Sequence, residues 1–270
     1  MSHAEITASI VLDKLRINKP DDLLYLKQIV HARGAIYREW PLEGAEARLM
    51  LGHGKPIVTV SSSPSINSER RRFGIAHELG HLEMHRGHAL LLSCTREDIQ
   101  DKPDGSTIEI EKEANDYASA FLMPARFVGK PFTDNAPSFD LIAEWASILQ
   151  TSLTATAFRF VALTSEPVAV VYSHDGIIRY FQGSAEFREL GVFPDVRNRM
   201  GTDTDASRIF RGLTTKNQWH ETRASAWFRE NKAAFDDSDV VKEWSISMPS
   251  YAAVLSLLWV EEPLGEDSTW

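Results

Sequence analysis

The sequence has a single cysteine, Cys94, among its 270 residues. No disulfide can form within the chain, which excludes the small secreted domains that disulfides hold together. Long apolar runs are also missing. The longest, such as residues 252–260, are far shorter than the ~20 residues that a membrane-spanning helix needs. No apolar segment of signal-peptide type follows Met1. We therefore expect a cytoplasmic protein with no membrane partner.

Positive charge is scarce. The chain has 29 Lys and Arg against 38 Asp and Glu, which gives a net charge of −9. This balance disfavours direct nucleic-acid binding, because such proteins usually carry a basic surface. Internal repeats and low-complexity segments are absent from the sequence, so solenoids and disordered arrays are excluded. The composition, with 43% hydrophobic residues, is typical of a globular protein.

The most informative stretch contains the pattern His-Glu-x-x-His, formed by His77, Glu78 and His81. Residues four apart lie on one face of a helix, so the two imidazoles can bind a single Zn²⁺. Glu78 lies beside them without being a ligand and can accept a proton from the attacking water. A surface helix with incidental histidines is the alternative. Asn67 or Ser68 is the predicted N-cap of this helix. Apolar residues cover most of the helix surface, which favours a buried helix. Ionisable side chains on a buried helix need partners.

A zinc site of this type needs a third protein ligand. The next predicted helix carries three candidates, Glu109, Glu111 and Glu113. At about 100° per residue, Glu111 projects about 50° from the centre of the apolar face, Glu113 about 110° and Glu109 about 150°. Glu111 is therefore the predicted ligand, Glu113 the alternative, and Glu109 a solvated side chain. Asn115, one turn after Glu111, is not a predicted ligand but can form a hydrogen bond with a residue of the site.

Three motifs in residues 71–124 resemble those of the ImmA/IrrE metallo-endopeptidases: Arg-Arg-Phe-x-x-Ala-His-Glu-Leu-Gly-His, Glu-x-x-Ala-Asn and Phe-Leu-Met-Pro. These are soluble bacterial and phage proteins with a gluzincin-like active site. The resemblance implies one catalytic Zn²⁺ held by His77, His81 and Glu111, with Glu78 as the base. It also implies a protein substrate, since members cleave transcriptional repressors of mobile elements or stress regulons. A helix-turn-helix repressor is therefore the expected partner.

The order of patterns predicts an α+β fold in two domains. Residues 1–163, the extent of the resemblance, are predicted to form a mainly helical, zincin-like metallopeptidase domain with a small antiparallel sheet. This domain ends in a helix-turn-helix-like pair at 139–149 and 152–163. Residues 164–262 are predicted to form a smaller α+β domain of unknown role, followed by a tail at 263–270. Ligand sensing, substrate docking and a purely structural role are the alternatives for this domain.

Three neighbouring features have a structural and a functional interpretation. The three arginines at 70–72 are expected to be solvated or paired with carboxylates rather than to bind substrate. His85 continues the i, i+4 series from His81 and is expected near the mouth of the site, not as a fourth ligand. The polar connection at 86–108, which contains Cys94, has a length that suits a lid.

Two functions remain open at this point. The first is a zinc-dependent endopeptidase, and the second is a non-catalytic regulator that binds a partner protein or DNA through a zincin-like fold. Glu78 favours the first, because a structural zinc site needs no base and commonly uses four ligands rich in cysteine. The helix-turn-helix-like pair does not favour DNA binding. Its charges are Asp140, Glu144 and Arg159, which sum to −1.

Overall fold

The computed structural model describes residues 1–52, 54–86, 91–92, 105–213, 215–228, 236 and 238–261. It divides into two compact units. Unit 1 comprises Met1–Val128 and Glu144–Thr156, and unit 2 comprises Gly129–Ala143 and Ala157–Trp270. The expected domain boundary after Leu163 stays a prediction. Most of the expected lid at 86–108, including Cys94, lies outside the described residues, and so does the tail at 263–270.

The helices of unit 1 begin where the sequence offers capping side chains. Ser2 and Glu5 form a reciprocal capping box at the first helix, and Asn67 Oδ1 accepts the Arg70 N–H at 2.9 Å at the third. The segment predicted as one helix from Pro20 to Gly34 is instead a 3₁₀ turn followed by an α-helix. The elements are α1 His3–Lys14, the 3₁₀ turn Pro20–Leu24, α2 Leu26–Ala32, α3 Ser68–Met84 and α4 Gly105–Leu122.

The sheet of unit 1 has four described strands in the order β1-β3-β2-β4. Its strands are β1 Ile36–Trp40, β2 Ala47–Met50, β3 Ile57–Ser61 and β4 Leu91–Leu92. The expectation of an antiparallel sheet was wrong for one pairing, because β1 and β3 run parallel, with Ile36 beside Ile57. The chain reverses after β1 and again after β2. Strand β3 therefore points the same way as β1 and inserts between β1 and β2, so the sheet is mixed.

The helices α3 and α4 pack closely against each other, and this contact positions the candidate site. A Cβ at Gly80 would lie 3.1–3.2 Å from three atoms of Tyr117, so only glycine lets the two helices approach this far. Tyr117 is fully buried and stacks on Phe121 at 5.6 Å between ring centroids. On the other side, α3 packs on β2 and β3, and α1 packs on α4. The two central helices are therefore covered on several sides.

Unit 2 contains a five-stranded antiparallel sheet in the order β6-β5-β9-β8-β7. The predicted hairpin is confirmed, since Asp175 and Gly176 take positive φ values of 52° and 75° between β5 and β6. The strands are β5 Val168–His174, β6 Ile177–Gly183, β7 His220–Arg223, β8 Val240–Met248 and β9 Ala253–Trp259. Together with unit 1 and its flanking helices, this makes the chain an α+β protein, as expected.

Within the described ranges, five further α-helices precede this sheet or lie between its strands in the sequence. Residues 131–137 were predicted to be a link, but a helix continues to Asp134 with Pro131 inside it. The two helices of the expected helix-turn-helix-like pair are present on either side of Thr151. The helices are α5 Ala125–Asp134, α6 Phe139–Leu149, α7 Leu153–Leu163, α8 Ala185–Glu189 and α9 Asp205–Phe210. Among the described residues, no helix combines the length and apolarity needed to cross a membrane.

In the described part of unit 2, the carboxylate of Glu243 on β8 is fully buried. It accepts hydrogen bonds from Ser245 Oγ at 2.7 Å, the Ala206 backbone N–H at 2.9 Å and Trp227 Nε1 at 3.2 Å. Burial raises the pKa of Glu243, and these hydrogen bonds and the nearby His220 offset only part of that rise. Glu243 therefore holds a proton more tightly in the folded protein than it would in water.

Candidate metal centre

Helix α3 places the three residues of the His-Glu-x-x-His pattern inside the protein. His77 is 6% exposed, Glu78 1% and His81 0%. The two imidazoles lie one turn apart, with ring centroids 4.6 Å from each other and Nε2 atoms 3.0 Å apart. The interpretation as a surface helix with incidental histidines is therefore wrong. Buried polar side chains of this kind must be satisfied by partners.

Helix α4 brings Glu111 to the two histidines. Its Oε2 lies 3.2 Å from His77 Nε2, and its Oε1 lies 3.5 Å from His81 Nε2. The ligand atoms of the three residues all lie within 4.8 Å of one another, so the group could hold a metal ion. Glu109 is exposed, as expected. Glu113 lies outside the group and contacts His85 instead.

Asn115 fixes which nitrogen of His77 carries the hydrogen. Its Oδ1 lies 3.0 Å from His77 Nδ1, and an amide oxygen can only accept. The hydrogen of the neutral imidazole is therefore on Nδ1, and the lone pair on Nε2 points toward His81 and Glu111. This is the arrangement in which a histidine can bind a metal through Nε2.

The distances among the donor atoms fit a metal ion such as zinc. Tetrahedral ligands at about 2.0–2.1 Å from Zn²⁺ lie about 3.3–3.4 Å from one another. The separations of 3.0, 3.2 and 3.5 Å in the group bracket that value. Two imidazole lone pairs and a carboxylate converging in a buried space repel one another unless a cation lies between them. The residues present therefore fit the group that the motif implies.

The protonation preferences of the site reflect this crowding. Burial lowers the pKa of His77, but the hydrogen bond to Glu111 and the charges of Glu78 and Glu111 outweigh it, so the pKa of His77 is raised. Burial, His77 and His85 together lower the pKa of His81 despite Glu111. Burial alone would raise the pKa of Glu111, yet its bonds to the two histidines bring that pKa well below its usual range. Glu111 is therefore a carboxylate at neutral pH.

His85 is the residue of this site whose surroundings sequence reasoning missed. It was expected near the mouth, but it is only 4% exposed and its Nδ1 lies 3.0 Å from His81 Nδ1. Its Nε2 lies 3.0 Å from Glu113 Oε2 on α4. The i, i+4 spacing indicated that His85 shares a face with His81. The partner from α4 could not be found without the packing of the two helices.

The three arginines at the start of α3 are all held by acceptors of unit 1. Arg70 pairs with Glu46, and Arg71 donates to the backbone carbonyls of Ser63 and Ile66. Arg72, only 8% exposed, donates to three backbone carbonyls at 3.0–3.2 Å. Those carbonyls belong to Leu23, Leu149 and Gln150. The expected carboxylate partner is present for Arg70, whereas the expectation was wrong for Arg72, which is buried and bound to backbone carbonyls.

Residues 39–160 match the family model of the IrrE N-terminal-like domain, Peptidase_M78. The match contains all of α3 and α4, and with them the whole candidate centre. These residues are therefore similar to an IrrE N-terminal-like domain, in agreement with the resemblance to the ImmA/IrrE family. The rest of unit 2 after residue 160 lies outside the matched residues.

Two curated relatives match part of this chain. The radiation response metalloprotease IrrE of Deinococcus deserti is 32% identical over 114 residues, which are 42% of this chain and 38% of that protein. The protein of the same name from Deinococcus radiodurans is 33% identical over 124 residues, 45% of this chain and 34% of that protein. The match thus spans little more than a third of each relative. The family and both relatives are of metallopeptidase type.

A solved structure shares the fold. It is described as a Mycobacterium tuberculosis transcriptional regulator, and it superposes with a TM-score of 0.61 over 96% of this chain and 77% of its own. The sequences are only 12% identical, so the likeness concerns the fold alone.

Proposed function

We propose that the Peptidase_M78 domain is a zinc-dependent endopeptidase. His77, His81 and Glu111 are the ligands of one catalytic Zn²⁺, and Glu78 is the general base. The observation that carries the proposal is the convergence of His77 Nε2, His81 Nε2 and the Glu111 carboxylate in a buried space, at separations of 3.0–3.5 Å. Two imidazoles and one carboxylate are a donor set that hydrolytic zinc enzymes use, with a fourth position left for water.

The choice of zinc over other divalent ions follows from the donor types. Imidazole nitrogens suit zinc, whereas Ca²⁺ and Mg²⁺ prefer sites made of oxygen atoms only. A bound Zn²⁺ would supply Lewis-acid chemistry, acidifying water and polarising the carbonyl of the scissile bond. Asn115 would keep His77 in its ligand tautomer throughout, since its Oδ1 accepts from His77 Nδ1 at 3.0 Å.

Glu78 is placed to move protons within this site. It follows His77 directly on α3, is 1% exposed, and its charge contributes to the raised pKa of His77. A carboxylate beside a metal-bound water can act as a general base. In the proposed reaction Glu78 accepts a proton from the attacking water and later donates it to the leaving amine.

For the substrate, we propose a DNA-binding transcriptional repressor of a stress response or a mobile element, with a helix-turn-helix fold. The relatives named radiation response metalloproteases support an intracellular regulatory target rather than a digestive one. The net charge of −9 gives the chain a negative field, which would attract the basic surface of a DNA-binding protein.

A second candidate function is a non-catalytic regulator that binds a partner protein or DNA through the same fold. The observation in its favour is the fold shared with a protein described as a transcriptional regulator. The two functions differ in their need for Glu78. A binding module keeps its action when Glu78 cannot accept a proton, whereas a peptidase does not.

Replacing Glu78 with glutamine tests the proposal. The amide keeps the shape of the side chain but cannot take up the proton, so we expect cleavage to fall by roughly 10²-fold or more while zinc stays bound. The substrates to use are purified helix-turn-helix repressors, with those encoded nearest to this gene tested first. Fragments are followed on gels, and zinc is measured by elemental analysis. Glu69→Gln, the same change in the first turn of α3, is the matched control and should cleave like the wild type.

Three outcomes decide between the candidates. Cleavage by the wild type that chelator abolishes, together with loss in Glu78→Gln, supports the peptidase. Equal relief of repression in cells by the wild type and by Glu78→Gln, without fragments of the repressor, rejects it and favours the binding module. A wild-type protein that binds no zinc rejects the metal site itself.

A further inference from the structure

We infer that His85 and Glu113 are positioning residues that hold His81 in the tautomer needed for binding a metal through Nε2. The inference rests on the proposed metal site and deepens it. It concerns two residues that neither bind the metal nor touch a substrate in that proposal. Its basis is a continuous line of two contacts that joins three residues and leads from α4 to His81 on α3.

The line begins at Glu113 and ends at His81. Glu113 Oε2 lies 3.0 Å from His85 Nε2, and His85 Nδ1 lies 3.0 Å from His81 Nδ1. His85 is 4% exposed and sits at the C-terminal cap of α3, where its backbone N–H donates to the carbonyl of His81 at 2.9 Å. Its ring therefore has little freedom to turn away from either neighbour.

The direction of the hydrogen bonds follows from the carboxylate at one end. An ionised carboxylate can only accept, so His85 Nε2 must carry a hydrogen and donate it to Glu113. In a neutral imidazole the other nitrogen, Nδ1, is then an acceptor. The hydrogen between the two rings must therefore belong to His81 Nδ1. That leaves the lone pair of His81 on Nε2, which lies 3.5 Å from Glu111 Oε1 and 3.0 Å from His77 Nε2.

Each histidine of the proposed site thus has its own outer acceptor, and α4 supplies both. His77 donates from Nδ1 directly to Asn115, whereas His81 donates through His85 to Glu113. The direct contact suffices for His77 because Asn115 lies next to it. His81 is fully buried beneath the next turn of α3, so a second imidazole spans the gap to the carboxylate at the surface. Hydrogen bonds arranged in series in this way polarise one another and strengthen the ligand.

Metal affinity tests this role without any substrate. The zinc dissociation constant of the full chain is measured by competition with a chelating dye, for the wild type and for His85→Phe and His85→Asn. Phenylalanine fills the space of the ring but accepts nothing from His81. Asparagine places its Oδ1 where His85 Nδ1 was and restores the acceptor. His31→Asn, at an exposed histidine of α2, is the matched control.

We expect His85→Phe to bind zinc about 10–100-fold more weakly than the wild type. His85→Asn should recover much of that loss, which a merely space-filling role of His85 would not explain. Glu113→Gln should lose less than His85→Phe, because the amide oxygen still accepts from His85 Nε2. The control His31→Asn should bind like the wild type.

A spectroscopic measurement on the unaltered protein removes any dependence on the folding of the variants. Long-range ¹⁵N–¹H correlation spectra report which ring nitrogen of His81 carries the hydrogen. We expect hydrogen on Nδ1 of His81 both without metal and with zinc bound. Hydrogen on Nε2 of His81 in the metal-free protein, or equal zinc affinity in the wild type and a folded His85→Phe, overturns the inference.

Failure of the inference can be told apart from failure of the proposed function. A wild type that binds zinc but cleaves no protein rejects the peptidase, while the affinity difference between His85→Phe and His85→Asn still stands. Equal affinities in a protein that cleaves its repressor reject only the positioning role. Absence of zinc binding in the wild type rejects both.

Discussion

Replacing Gly80 with alanine tests whether the close approach of α3 and α4 sets the geometry of the metal centre. A methyl group at this position would lie 3.1 Å from Tyr117 Cδ1 and 3.2 Å from its Cβ and Cγ. Tyr117 cannot turn aside, because it is fully buried and stacked on Phe121. The helices must therefore separate by a few tenths of an ångström, and Glu111 moves with α4 away from His77 and His81 on α3.

Two opposing contributions decide the effect on stability. Alanine in a helix interior is favoured over glycine by about 1 kcal/mol. An extra methyl group in a well-packed contact costs about 1–3 kcal/mol. We expect the second to prevail and the free energy of unfolding of the metal-free protein to fall by about 1 kcal/mol. Metal affinity should fall as well, since ligand distances must hold to about 0.2 Å.

Chemical denaturation and chelator competition measure the two effects. Gly74→Ala is the matched control, because it makes the same change in the same helix at a position that faces β2 and its preceding residue. A methyl group there would lie 3.3 Å from Ala47 Cβ and 3.5 Å from Glu46 Cβ. Gly74→Ala should leave metal affinity unchanged and stability unchanged or slightly raised. A Gly80→Ala protein that is more stable than the wild type and binds zinc equally well would refute the reasoning.

Two further predictions concern the ligands and the interior of unit 2. Glu111→Gln should lower zinc content in purified protein much more than Glu113→Gln, as measured by elemental analysis, because only Glu111 reaches both His77 and His81. Near-stoichiometric zinc in Glu111→Gln would count against it as a ligand. Burial raises the pKa of Glu243 above its ordinary 4.5, so its contribution to stability is present below that pH and is lost as pH rises through the folded value. Urea unfolding from pH 4 to 7 should therefore show a flatter pH dependence in Glu243→Gln, and identical slopes would contradict this.

Sequence patterns identified α3 and α4 because both helices bury a stripe of side chains at helical spacing. The phase of that stripe also singled out Glu111, and the structure brings Glu111, not Glu113, to the two histidines. Such local geometry follows from 3.6 residues per turn and needs no knowledge of the rest of the fold. The hairpin at Asp175 and Gly176 could also be predicted from the sequence. Asp-Gly between two apolar runs is typical of a tight hairpin turn, because both residues tolerate the positive φ values that such a turn needs.

What could not be predicted depends on contacts between distant parts of the chain. The parallel pairing of β1 with β3 arises because β3 inserts beside β1, and short strands carry no signal of their neighbour. The environment of His85 depends on Glu113, which lies 28 residues further along and meets it only through the packing of α3 on α4. The helix through Pro131 likewise runs against the local preference for a break at proline.

The three carbonyl contacts of Arg72 bear on which piece of the chain can be cut out and still fold. Its guanidinium is buried near the start of α3, and one acceptor, Leu23, precedes the residues that match the family model. A fragment limited to residues 39–160 would leave this cation with one acceptor fewer, at a cost of about 1.5–3 kcal/mol for a charged hydrogen bond. Such a fragment would also lack α1, which packs on α4. The segment that matches the family and the smallest segment expected to fold therefore differ in length, and we expect an excised domain to require the N-terminal helix α1.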